Sequence, residues 1–198
     1  MRIRKKLMKK TKLIFMLLVT FLILGTFSTT VFAERLGTGK ISGGARNILY
    51  WRDNSIYEYR HSVDYGFDYW NGHLSTVSLA RTDTKSYSRC DVYWGNYFAA
   101  GSTTIAQTYL ILNNQVLENY NVDWYWCQIK FNMNKFNYTE MPDYAMRKAT
   151  ACHEYGHFLG LAHPPAVIAG SIMQKVELRA TNVPTSYNFN WLIQIYGQ

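Results

Sequence analysis

The stretch that decides the fold is His153-Glu154-Tyr155-Gly156-His157-Phe158-Leu159-Gly160-Leu161-Ala162-His163. It holds three of the chain's five histidines. His153 and His157 are four apart, so on a helix both rings project from one face and reach one ion. Glu154 follows the first ligand and stays near the metal without entering its inner shell. Continuing the helix would bring Gly160 and Leu161 to that face, and neither side chain binds metal. Gly160 instead stands where the chain must turn. Glycine tolerates positive φ, so the backbone can leave the helix sharply and return His163 to the ion. Three neutral imidazoles leave one tetrahedral position open, the mark of a catalytic zinc.

Two blander readings compete with this one. A His-Glu-x-x-His pair also arises on ordinary polar helices, but Gly160 and His163 at their offsets argue against coincidence. A structural zinc is usually closed by a fourth protein ligand, often Cys. Cys152 is the only candidate in the segment. It precedes His153 by one residue, about 100° round a helix, and so is expected to face the core. A structural site would also have no use for Glu154.

Working outward, Pro142 suits the first turn of a helix running to about Leu159, with Gly160 as its stop. Upstream, Val63, Phe67 and Trp70 recur at helical spacing, so 62–71 reads as a helix closed by Gly72. Residues 47–51, 77–81, 90–94, 104–112 and 128–132 are rich in β-branched and aromatic side chains and read as strands. Residues 164–190 read mostly as loop, with a short final helix over 189–196. The order is strand, helix, several strands, helix, loop, helix. It defines an α/β (α+β) domain: a mixed twisted sheet with an active-site helix and a C-terminal helix.

The net charge of +8 over 198 residues misleads. Residues 1–33 carry seven Lys or Arg and no acid, and the other 165 residues hold fourteen bases against thirteen acids. The body is nearly neutral, without the basic surface that nucleic acid requires. A basic stretch, Met1 to Lys12, precedes an apolar run, Leu13 to Phe27, and then Ser28-Thr29-Thr30-Val31-Phe32-Ala33. That is the layout of a secretory signal peptide cut after Ala33. The 15-residue run is shorter than the roughly 20 apolar residues of a spanning helix. The expected protein is therefore secreted and extracellular, with no stable membrane insertion after cleavage, and 34–198 form the catalytic domain. Of the three cysteines, Cys90–Cys127 is the favoured disulfide pair, since Cys152 sits in the metal helix. The alternative is three reduced, buried thiols.

The extended histidine motif followed by a methionine turn is the metzincin signature, and Ser171-Ile172-Met173 resembles that turn. Within the metzincins the chain looks most like a matrixin, because Pro184-Thr185 to Tyr196-Gly197 resembles the end of a matrixin catalytic domain. The resemblance is specific over 153–173 and 184–197 and general elsewhere. It implies a metzincin-like zincin domain and a secreted zinc metalloendopeptidase. His153, His157 and His163 would hold one catalytic Zn2+, Glu154 would be the general base, and Gly160 and Met173 would support the site, Met173 as a floor under the metal. The implied partner is a polypeptide substrate bound by a monomer. An edge strand, assigned to part of 104–112, would pair with substrate, and the loop 174–187 would wall the pocket beyond the scissile bond.

There are departures from the pattern. Matrixins carry Asp where this chain has Asn188, to tie the last helix to the methionine turn. Lys175 stands where astacins and serralysins place an extra tyrosine ligand. Animal matrixins bind a second, structural zinc, which His61 and His73 are too few to supply. Both read as ordinary exposed or capped histidines. No pattern indicates Ca2+. Residues 34–46 are Gly-rich, lack cysteine and are too short for a prodomain lock, so no activating cleavage beyond signal removal is expected. The rival readings are a catalytically weak secreted zinc-binding module of the same fold and a zinc hydrolase acting on a non-peptide bond.

Overall fold

A computed structural model describes residues 35–164, 170–175 and 181–198. The expected signal segment lies outside these residues, as does part of the loop expected to wall the pocket. The described residues belong to one compact unit, Ala33–Gln198.

Six strands form one mixed sheet. They are β1 (Ala45–Arg52), β2 (Val77–Arg81), β3 (Cys90–Gly95), β4 (Ala106–Leu112), β5 (Gln115–Val116) and β6 (Trp126–Asn132), in the order β2-β1-β3-β6-β4-β5. The β1–β2, β1–β3 and β3–β6 pairs are parallel, whereas β4 runs antiparallel to both β6 and β5. Among the described residues three α-helices accompany the sheet: α1 (Arg60–Asp68), α2 (Tyr144–Phe158) and α3 (Ser186–Tyr196). The expected elements are present, with shifted ends. The first helix starts earlier and is preceded by a 3-10 turn over Asn54–Tyr59. Pro142 precedes the active-site helix rather than entering it. Asp143 caps that helix, its carboxylate accepting from Ala145 N at 2.7 Å, so α2 begins at Tyr144. The final helix begins at Ser186 because Thr185 and Asn188 form a reciprocal capping box. The short β5 was not expected from the sequence.

The core lies between sheet and helices. Trp70 and Trp124 are fully buried, and each indole anchors the active-site helix. Trp70 Nε1 donates to Cys152 O and Trp124 Nε1 to Phe158 O, both at 3.0 Å. Cys90 and Cys127 stand opposite each other on β3 and β6. The expected disulfide between them is corrected by the structure: Cys90 and Cys127 are buried free thiols, and Cys152 is buried on α2. Burial raises the Cys127 thiol pKa well above its usual value, and the adjacent Cys90 adds to the effect. In this apolar core the thiols act as small hydrophobes.

The Gly-rich segment before β1 is integrated into the domain. Leu36 N donates to Gly160 O at 2.9 Å, Gly39 N to Tyr120 O at 2.9 Å, and Ser42 N to Trp124 O at 2.8 Å. Ile41 is fully buried, and its amide donates to Tyr196 Oη.

Candidate metal centre

The end of α2 builds the site. Leu161 N donates to Gly156 O and Gly160 N to His157 O, both at 3.0 Å, with Gly160 at φ +94°. These two bonds form a Schellman motif, which satisfies carbonyls the helix would otherwise leave open. The backbone turns at Gly160, as the sequence requires, and His163 comes back over the helix. Arg35 and Leu161 form an antiparallel bridge that holds the returning strand from outside.

The three imidazoles converge. His153 Nε2 lies 2.9 Å from His163 Nε2 and 3.1 Å from His157 Nε2. Among the described residues this is the one group of three or more such side chains able to hold a metal. The opposite ring nitrogens identify the tautomers. His153 Nδ1 is 2.9 Å from Ile172 O, and His157 Nδ1 is 2.8 Å from Leu161 O. A carbonyl only accepts, so each Nδ1 carries the hydrogen, and in the neutral imidazole each Nε2 then presents a lone pair. Two lone pairs facing each other at 3.1 Å repel unless a cation lies between them. The donor set therefore fits a zinc ion, and backbone carbonyls fix the orientation of two of its rings.

The supports lie beneath. Met173 is fully buried, and a Cβ on Gly156 would meet its sulfur at 2.4 Å. Gly156 therefore lets the methionine lie directly against the helix, one residue before His157. The methionine turn is tied down by Asn188. Its Oδ1 accepts from Ile172 N at 3.2 Å and Thr185 N at 3.1 Å, and its Nδ2 donates to Ser171 Oγ at 3.1 Å. The neutral amide thus makes the tie from α3 without charge, using a donor that Asp lacks. Between the ligands, Tyr155 points into the core, and burial pushes its phenol pKa well above the ordinary value.

A cleft of about 570 Å³ opens over the histidines. Glu154 and β4 line it, with Leu36 and Tyr120 on one wall and Lys175 on the rim. No other strand pairs with Ala106–Tyr109 on the side away from β6 among the described residues, since β5 covers only Ile111 and Leu112. The expected edge strand thus borders the site. His61 and His73 stand apart and exposed, with His73 stacked on Phe189 at a centroid distance of 4.4 Å. Sequence reasoning missed two neighbours of the site: Leu36, and Thr108, which touches Glu154. Neither carries a local signal, because both contacts join distant segments.

Sheet order, helices, the turn at Gly160 and the turn at Met173 make up a mixed α/β fold that a solved structure shares. Among solved structures the chain is similar to the archaemetzincin of Methanopyrus kandleri. That match has a TM-score of 0.50 at 12% identity and covers 77% of this chain and 96% of that one. Neither protein-family profiles nor curated protein sequences match the chain.

Proposed function

We propose that this protein is an exported zinc metalloendopeptidase. The observation that carries the reading is the convergence of three imidazole Nε2 atoms beside a glutamate at the floor of an open cleft. When bound, the ion supplies Lewis-acid polarisation of a carbonyl and acidifies water. His153, His157 and His163 would hold it, and the carbonyls of Ile172 and Leu161 place the hydrogen of His153 and His157 on Nδ1, which leaves Nε2 to the ion. Glu154 takes the proton from the attacking water and delivers it to the leaving amine. The free edge of β4 would bind the substrate backbone as an added strand, aligning the peptide along the cleft beside the three histidines. The matrixin-like reading is the finer form of this proposal. It draws on the run Pro184-Thr185 to Tyr196-Gly197 and on Lys175, which stands where astacins and serralysins place a tyrosine ligand; Asn188, a departure from the matrixin Asp, makes its tie to the methionine turn through an amide. Export rests on the sequence of residues 1–33, and a monomer acting on polypeptides suits a cleft built from one chain.

The test is Glu154→Gln in the zinc-loaded protein, assayed on unfolded protein and mixed peptides with a chelator control. Zinc content should stay at that of the parent, while turnover falls by about 100- to 10,000-fold, the usual loss on removing a general base. Near-parental turnover in that variant would sink the mechanism. Absence of chelator-sensitive cleavage in the parent would leave a zinc-binding module instead.

A further inference from the structure

Glu154 is held by a hydroxyl from the sheet. Thr108 Oγ1 lies 2.8 Å from Glu154 Oε2 and 2.8 Å from the Glu154 carbonyl oxygen. A hydroxyl carries one proton and donates to one acceptor at a time. The carbonyl lies inside α2, where the amide four residues on already claims it. Acting as a base, Glu154 carries a carboxylate, which is a stronger acceptor than an engaged carbonyl, so the hydroxyl proton is directed to Oε2.

The hydroxyl is itself well anchored. Thr108 pairs with Ile129 of β6 across the antiparallel ladder, and directly opposed residues share one face of the sheet. Ile129 is fully buried, so Thr108 faces the helices from the middle of a strand, where the ladder fixes its backbone. Glutamate has three rotatable side-chain bonds, so a bond to one carboxylate oxygen favours the rotamers that keep that oxygen at the hydroxyl. The strand that lines the cleft therefore also orients the acid beside the metal site.

We propose that Thr108 is a positioning residue whose hydroxyl holds the Glu154 carboxylate in the orientation from which it takes a proton. This rests on the reading of Glu154 as the general base. Thr108 does not touch the reacting atoms. Its effect passes through Glu154, and it should therefore act on kcat more than on KM. The hydroxyl is the part that matters, so serine should serve in its place and valine, of equal shape, should not.

The experiment uses the zinc-loaded mature chain as parent, Thr108→Val, Thr108→Ser and Glu154→Gln, together with the Thr108→Val/Glu154→Gln double variant. In Thr108→Val, zinc content by elemental analysis and Tm should match the parent, while kcat falls by about 10- to 100-fold, the range expected for a misplaced catalytic group. KM should stay close to the parental value, and Thr108→Ser should recover most of the lost turnover. Crystal structures of the zinc-loaded variants give a readout independent of activity. Glu154 should spread over several rotamers in Thr108→Val and keep one in Thr108→Ser. In the Glu154→Gln background, Thr108→Val should cause no further loss. Parental kcat in Thr108→Val, an undisturbed Glu154 rotamer there, or a loss matched by falling zinc content or Tm would each overturn the inference. Additional loss in the double variant would also overturn it, since Thr108 would then act elsewhere. If Glu154→Gln alone keeps parental turnover, the general-base reading fails first, whatever the Thr108 variants do.

Discussion

Asn188 is the residue on which the support of the metal site turns. It is fully buried, and its side chain makes three hydrogen bonds that join α3, the methionine turn and the start of the helix itself. Asn188→Ala would leave the amides of Ile172 and Thr185 without an acceptor in a dry interior. Each unsatisfied group costs about 1–3 kcal/mol. The expected outcome is a loss of roughly 2–4 kcal/mol, or about 5–15 °C in Tm for a domain of this size. Calorimetry checks it, and an unchanged Tm would show that water or a neighbour replaces the amide. Asn188→Asp keeps the acceptor oxygens and loses the donor to Ser171, so its Tm should fall less.

At the scale of elements, the segment before β1 decides what holds the returning histidine loop. Leu36 and Arg35 pair with Gly160 and Leu161, the residues from which His163 is reached. Ile41 is in the core, and burial of such a side chain contributes about 1.5–3 kcal/mol. A chain starting at Ala45 should therefore have a lower Tm and lower zinc content than one starting at Glu34. The measurement is thermal unfolding and elemental analysis of both forms, with activity alongside. If the shorter form were active and the longer one silent, this segment would be an inhibitory pro-peptide. Packing argues against that, because the segment lies along the domain edge and only Leu36 lines the cleft.

For the whole molecule, the metal should behave as part of the fold. Two of the histidines that would hold it stand on α2, and the third arrives on a loop whose continuation, 165–169, lies outside the described residues. An ion bound to all three cross-links that loop to the helix and is absent from the unfolded chain. Stabilisation then follows mass action, about 4 kcal/mol at a free zinc concentration a thousand times the dissociation constant. Chelation should lower Tm, and added zinc should restore it in a concentration-dependent way. His163→Ala should abolish most of that dependence. A Tm indifferent to chelator would place the ion outside the folding equilibrium.

The amino-acid sequence by itself determined the local chemistry. Ligand spacing, the helix, its stop at Gly160 and the general layout of strands all follow from residues within one or two helical turns of each other, where periodicity and φ preferences act directly. The ends of elements were less legible, because Asp143 and Thr185 set them through side-chain caps that compete with Pro142 and with apolar spacing. Tertiary structure alone decided the sheet order, the docking of Leu36 beside Gly160, the free thiols of Cys90 and Cys127, and the bond from Thr108 to Glu154. Thr108 and Glu154 are 46 residues apart, and no pattern in either segment announces the other. Such contacts arise only when the hydrophobic face of the sheet closes on the helices. Closure places side chains by packing, and packing has no period that the chain displays.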